Sequence, residues 1–397
     1  MALGKLGARG GFGSLGAGNN VSPSLLNVAT RTGYMAASSN GGLIQSMART
    51  FHFARDKITK LKIGIPNWFY SGNGEGSIGA SLTVTASIEY PAGTFTQLTF
   101  GGSSSGTIPD ATTGYSDFVN VSIPNGSKFY VRIWRNCSAG LMYQGVWNPT
   151  NGDAVAWGTT TPDLTLGGTI TDVGNTQGPS FPSAIIAASK IISPALIGDS
   201  RTNGGGLGTA SGTSGDFGIM APSIGAALPY INTGRGGDST ANYLIAANRP
   251  NRTLLVQQWT NRIQLALGIN DNLSAAQIAA NLSAIAAIYP NKACWAYTIS
   301  PQTSSTDGFL TVANQSKVKS TSALNDLIRA GLSGMSGYFD VADVTMSSHN
   351  SDFFVANTAN AYISSPTPPY TADGIHENPL LWAAIKTAGV INPALIV

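Results

Sequence analysis

The sequence predicts a multidomain chain with three parts: an extended N-terminal arm, an antiparallel β-sandwich, and a C-terminal α/β unit on a parallel sheet. Three observations carry this reading. Residues 1–42 are rich in Gly, Ser, Ala and Asn and show no apolar period. Short alternating segments follow, each closed by Gly, Pro or Asn. From about residue 185, apolar strand-like segments alternate with helical ones, the pattern of a parallel sheet covered on both faces. The expected boundaries are 1–48 for the arm, 49–160 for the sandwich, 161–184 for a connector and 185–397 for the α/β unit.

The arm is basic. Residues 1–62 hold eight Lys or Arg (Lys5, Arg9, Arg31, Arg49, Arg55, Lys57, Lys60, Lys62) against one acid, Asp56. The remainder holds 14 basic and 18 acidic residues, so a net charge of +3 divides into about +7 and about −4. The positive charges are scattered, without a Lys/Arg cluster. That pattern suits a segment docking on a partner protein better than one that binds nucleic acid, which is not expected.

The sandwich strands are read from FHFARDKITKLKIGI, SLTVTASIEY, FTQLTF, SDFVNVSI and KFYVRIW, all β-branched or aromatic and alternating. In the α/β unit, strands are read at IISPALIG, ALPYINTG, RIQLALG, ACWAYTIS and GYFDVAD. Between the third and fourth, Leu273, Ile278, Leu282 and Ile285 recur at helical spacing, with Ser274 as N-cap. VANQSKVKSTSALNDLIRAGL reads as a helix ending near Gly331, and LWAAIKTAGV as a last short helix.

Composition narrows the class. Charged residues make up 10%, against about a quarter in ordinary soluble chains, so hydroxyl and amide groups must supply much of the polar surface. That suits a secreted or particle-borne β-rich protein. Cys137 and Cys294 fall in different predicted units and are expected as buried free thiols. The N-terminus lacks the apolar stretch of a signal peptide, and SAIIAASKIISPALIG is interrupted by Lys190 and Pro194, so no membrane span is expected. The protein is expected to be made in the cytoplasm and to leave, if it does, inside a particle.

In an open parallel sheet, ligands bind beyond the carboxyl ends of the strands. Four polar turns fall there: Gly198-Asp199-Ser200, Asn232 to Asp238, Gly268-Ile269-Asn270-Asp271, and Asp373-Gly374-Ile375-His376. Together they suit acyl transfer. A serine hydroxyl needs a base in hydrogen-bond reach, and the base needs an orienting carboxylate. Of the three histidines, His52, His349 and His376, the last has an aspartate three residues earlier. Asp343, after the fifth strand, is the rival acid. The backbone N–H groups of Ser200 and Gly237 and the Asn270 amide can stabilise an oxyanion, with Gly234 and Gly236 as rivals to Gly237. Arg201 and Arg235 fall on the same rim, either against an anionic substrate or solvated. Trp68, Phe69, Tyr70, Trp134, Trp147 and Trp157 can stack on sugars or fill the core. No metal-ligand spacing occurs.

These four blocks, in this order, resemble the signature of the SGNH (GDSL-type) hydrolases over residues of about 190–397, a little over half the chain. The resemblance implies a flavodoxin-like sheet and a triad of Ser200, His376 and Asp373. It implies Ser200, Gly237 and Asn270 as oxyanion donors, no cofactor, and hydrolysis of esters, often acetyl groups on sugars. The order of arm, sandwich and esterase is similar to virion-associated proteins of bacteriophages. This implies an acetylated surface polysaccharide as substrate, virion proteins as partners of the arm, a homo-oligomer, and a place on a virion or extracellular particle. The expected function is thus a carbohydrate O-acetylesterase. A general lipase or esterase with the same triad, and a structural or adhesive virion protein with a vestigial site, are the alternatives.

Overall fold

The computed structural model describes residues 22–36, 38–71, 74–143, 147–171, 178–205 and 215–397. Two antiparallel sheets share one apolar core. The first runs Ser24–Asn27, Ala184–Ser189, Ile58–Pro66, Thr113–Tyr115, with Val119–Ile123 also paired to Ile58–Pro66. The second runs Ala154–Gly158, Gln45–Phe53, Lys128–Asn136, Leu82–Glu89, Phe95–Gln97, with Gly106–Ile108 also paired to Leu82–Glu89. Alternation explains the packing: Phe129, Val131 and Ile133 of KFYVRIWRN enter the core, where they meet Ile63, Ile65 and Ile185 of the facing sheet.

Two of the expected boundaries are corrected. Residues 24–48 are not a loose arm: Ser24–Asn27 is an edge strand and Gln45 already opens the longest pairing of the second sheet. Ala184–Ser189, expected to open the α/β unit, lies between Ser24–Asn27 and Ile58–Pro66 in the sandwich. AIIAAS is apolar almost throughout and fits any covered sheet, so its pattern cannot say which sheet takes it. The basic residues of this region are also engaged inside the fold. Arg31 forms a fully buried bidentate pair with Asp153, at 2.9 and 2.5 Å, and donates to the Phe51 and Gly215 carbonyls. Arg49 pairs with Glu89 at 2.8 Å. The first 21 residues of the arm lie outside the described residues.

The α/β unit holds five parallel strands in spatial order Ile231–Asn232, Pro194–Gly198, Arg262–Ala266, Ala293–Tyr297, Gly337–Phe339. In chain order this is 2-1-3-4-5, the doubly wound order of flavodoxin. Successive strand residues face opposite layers. Ala195, Ile197, Ile263 and Leu265 pack under the helices Ala275–Ala287 and Ser322–Ala330. Leu196, Ala266, Trp295 and Tyr297 pack against Ala221–Ile224 and Pro379–Ala388. Ser274 caps the first of these helices in a capping box with Gln277.

The segment expected as one helix over 312–332 is different. Gln315–Lys319 pairs with Gln302–Ser305 as a hairpin, and only Ser322–Ala330 is helical. The Gln315 side chain binds both the N–H and the carbonyl of Phe354, at 2.9 Å each, which anchors the hairpin. A helix absent from the sequence reading, Pro250–Trp259, begins with Pro250 in its first turn. Glu75, from the hairpin pairing Phe69–Ser71 with Gly74–Gly76, accepts from its Asn251 and Arg252 N–H groups at 2.8 Å. Among the described residues, no helix is long and apolar enough to cross a membrane.

Candidate active site

Ser200 opens a one-turn helix, Ser200–Asn203, directly after the strand Pro194–Gly198. Asp199 is its N-cap and accepts from the Arg201 N–H at 2.9 Å. Burial pushes the Asp199 carboxyl up to about 7, against the pull of the Arg201 charge and N–H and with help from the Glu377 and Asp238 charges. In the unfolded chain this group has an ordinary value of 3.8. Between the two values the folded state holds the extra proton, so its stability falls as pH rises from about 4 to about 7. Asp199→Asn keeps the capping oxygen and removes the titration. Urea unfolding is expected to show the variant gaining on wild type between pH 5 and pH 8. An equal difference at both pH values refutes this account.

His376 reaches across the rim. Its Nε2 lies 2.8 Å from Ser200 Oγ, and its Nδ1 lies 2.6 Å from Asp373 Oδ2. The other Asp373 oxygen accepts the backbone N–H groups of Ile375 and His376, each at 2.8 Å. Partial burial raises the Asp373 carboxyl, but these bonds and the imidazole outweigh it and hold the group below its ordinary value. Gly374 makes the turn possible. Its φ is +72°, and a Cβ there would lie 1.9 Å from the Thr303 carbonyl oxygen.

The second turn is stitched to the nucleophile strand, and the third to the second. The Arg235 N–H donates to the Gly198 carbonyl at 3.0 Å. The turn from Arg235 to Asp238 is closed by an N–H···O bond of 3.1 Å, with Gly237 at φ +73°. Asn270 is exposed, and its amide donates to the Asp238 carbonyl at 2.9 Å, leaving a second N–H. Gly234 is buried and its N–H is taken by Asn232 Oδ1, whereas Gly236 and Gly237 are exposed. Among the described residues, no hydrogen bond takes the backbone N–H of Ser200, Gly236 or Gly237.

Other sequence candidates are placed elsewhere. Asp343 holds His349 at 2.8 Å and Arg329 at 2.7 Å, not His376. His52 is buried between the Thr30 carbonyl and Thr50 Oγ1, and burial lowers its imidazole to about 3. Arg201 and Arg235 are buried rather than displayed. Arg201 donates to the Ser300 and Pro301 carbonyls at 2.7 and 2.8 Å, and Arg235 to Asp238 at 3.0 Å. Trp68, Tyr70 and Trp157 lie in core clusters. Asp271 is also structural: it ties down the first turn of the helix Thr240–Leu244, whose N-cap is Ser239, accepting from Thr240 N–H at 2.9 Å and Thr240 Oγ1 at 2.6 Å.

Several supporting residues carry no signal in the sequence. Arg252 Nη1 holds Asp238 at 2.7 Å, and Tyr70, on the hairpin of Phe69–Ser71 and Gly74–Gly76, donates to the Thr233 carbonyl at 3.1 Å. Lys319 donates to the Ile269 and Asp271 carbonyls on either side of Asn270. All three act over long sequence separations, which local patterns do not report. Among the described residues, no group of three or more His, Cys, Asp or Glu is placed to hold a metal ion.

No protein-family model and no curated protein matches the chain. Solved structures similar to it include a family two carbohydrate esterase from Cellvibrio japonicus, at 14% identity over 94% of this chain and 97% of that one, with a TM-score of 0.32. A family two carbohydrate esterase from Clostridium thermocellum, in complex with cellohexaose, matches at 14% identity over 94% and 100%, with a TM-score of 0.33. AlinE4, an SGNH-hydrolase family esterase, matches at 23% identity over 29% of this chain and 62% of that one, with a TM-score of 0.22.

Proposed function

We propose that the chain is a serine esterase of the SGNH kind that removes acetyl groups from carbohydrate. One observation carries the reading: a continuous relay from Ser200 Oγ through His376 to Asp373, with contacts of 2.8 and 2.6 Å, at the carboxyl edge of a doubly wound sheet. With Asp373 accepting from Nδ1–H, the Nε2 of His376 is left to accept the Ser200 proton. The Ser200 oxygen attacks the ester carbonyl, and the C=O electrons move to oxygen. The N–H groups of Ser200 and Gly237 and the second N–H of Asn270 receive that charge. His376 then gives the proton to the departing sugar oxygen as the C–O bond breaks. A water, deprotonated by His376, repeats the sequence on the acyl-enzyme and frees acetate and Ser200.

The carbohydrate assignment rests on the rim. Gly236, Gly237 and Asn270 are exposed and polar or without side chains, which suits a hydrated polymer better than a long acyl chain. A setting on a virion or other particle surface, with residues 1–21 meeting a partner protein, extends this reading from the low charge content and the order of parts. The test compares release of acetate from acetylated polysaccharide with hydrolysis of chromogenic esters of increasing acyl length. Acetyl is expected to be preferred and to fall steeply beyond butyryl. A preference for long acyl chains would move the assignment to a lipase, and no hydrolysis of any ester would leave a structural or adhesive protein.

A further inference from the structure

The hairpin of Gln302–Ser305 and Gln315–Lys319 touches two of the four turns that form the rim. Its last residue, Lys319, directs Nζ at the Ile269 carbonyl, 2.6 Å away, and at the Asp271 carbonyl. These are the peptide groups immediately before and after Asn270. At the same end of the pairing, where Gln302 lies opposite Lys319, the Thr303 N–H donates to the Gly374 carbonyl at 2.9 Å, inside the turn from Asp373 to His376. Gly374 packs so closely there that no side chain would fit. The hairpin is itself fixed by Gln315, which Phe354 holds through both backbone groups.

We infer that Lys319 is a positioning residue for the reaction: it clamps the Asn270 turn to the hairpin that also carries the His376 turn. The inference rests on the esterase reading above. An ammonium group suits the task because it donates to two carbonyls converging from one turn while a third N–H remains for water. A carbonyl pair gripped in this way cannot swing, so the Asn270 amide keeps its place against the Asp238 carbonyl and its free N–H keeps its aim. The energetic logic is that of a preorganised oxyanion site. A donor that must reorient during the reaction gives up much of the roughly 10²- to 10³-fold such a donor supplies, and a displacement of about 1 Å can cost about 10²-fold.

The test uses the full chain and 4-nitrophenyl acetate. Lys319→Met keeps the aliphatic stem and removes the donors. It is expected to lower kcat about ten- to hundredfold with KM within about twofold. Lys319→Arg, which restores two donors, is expected to recover most of that loss. The decisive arm is a cycle with Asn270→Ala. If Lys319 works through Asn270, Lys319→Met costs little more once Asn270 is gone. A merely structural lysine would cost the same fold in both backgrounds, and that result overturns the inference, as does a kcat unchanged in Lys319→Met. If circular dichroism shows Lys319→Met misfolded, Lys319→Gln takes its place in the same cycle. Ser200→Ala, run alongside, separates the two readings. Full turnover in Ser200→Ala removes the esterase site itself, while a dead Ser200→Ala with a wild-type Lys319→Met removes only the clamp.

Discussion

Ser200→Ala is expected to lower acetyl-ester turnover by about 10⁴-fold or more, the loss seen when a triad nucleophile is removed. The fold should be untouched. Ser200 is only partly buried, and among the described residues its hydroxyl hydrogen-bonds His376 alone, while the imidazole stays anchored to Asp373. The same change should end covalent labelling by an organophosphonate, which needs a nucleophilic oxygen activated by a neighbouring base. Intact-mass spectrometry reads the label and peptide mapping locates it. A label found on another serine, or activity that survives with circular dichroism unchanged, removes Ser200 from the mechanism and the proposed function with it.

Asp373→Asn is expected to come next in size, with a loss of up to about 10⁴-fold in kcat. The amide that replaces the carboxylate favours the wrong imidazole tautomer and no longer stabilises the imidazolium that forms as Ser200 gives up its proton. Substrate binding should change little, because Asp373 faces the imidazole and its own turn. Asp343→Asn is the matched control. Asp343 is tied to Arg329 and His349, so its loss should leave turnover within about threefold; the exposed His349 contact contributes about 1 kcal/mol or less to stability, and Arg329 keeps its pair with Asp340. Steady-state kinetics of the two variants decide between the two acids. A silent Asp373→Asn beside a damaging Asp343→Asn would reverse the assignment.

Much of this site can be read from the sequence because its parts obey local rules. Three of the rim turns follow apolar strands that alternation or composition marks, and in the fourth Asp373 lies in the same turn as His376, so the pair is visible at a spacing of three. The capping box of Ser274 and Gln277 announces its helix in the same way. Other parts depend on partners far away in the chain. QSKVK is polar, has no apolar period and sits beside a true helix, so it reads as that helix's beginning; only the Gln315 to Phe354 bonds and the pairing with QTSS make it a strand. PNRTLLVQQW shows no apolar stripe, because only Leu255 and Val256 are buried apolar residues and a capping carboxylate and a buried arginine fix the rest. Arg201 and Arg235 look like surface charges until the fold supplies the carbonyls and carboxylate that take them inside. The edge strand Ser24–Asn27 is too short to show a period and exists because Ala184–Ser189 lies beside it.

That last pairing governs the order in which the molecule can be made. Ser24 lies opposite Ser189, and the strand Ile58–Pro66 has Ala184–Ser189 as its neighbour on the same side. A ribosome releasing the chain from its N-terminus therefore delivers most of the sandwich long before it delivers the strand that closes the first sheet. Until then, Ile58–Pro66 and Ser24–Asn27 present unpaired edges, and the closing contact carries the entropy cost of a long loop. The α/β half begins five residues after that strand, at Pro194. The sandwich is thus complete only when residue 189 has been made, and cutting the gene at the expected boundary after residue 160 would leave its first sheet without Ala184–Ser189.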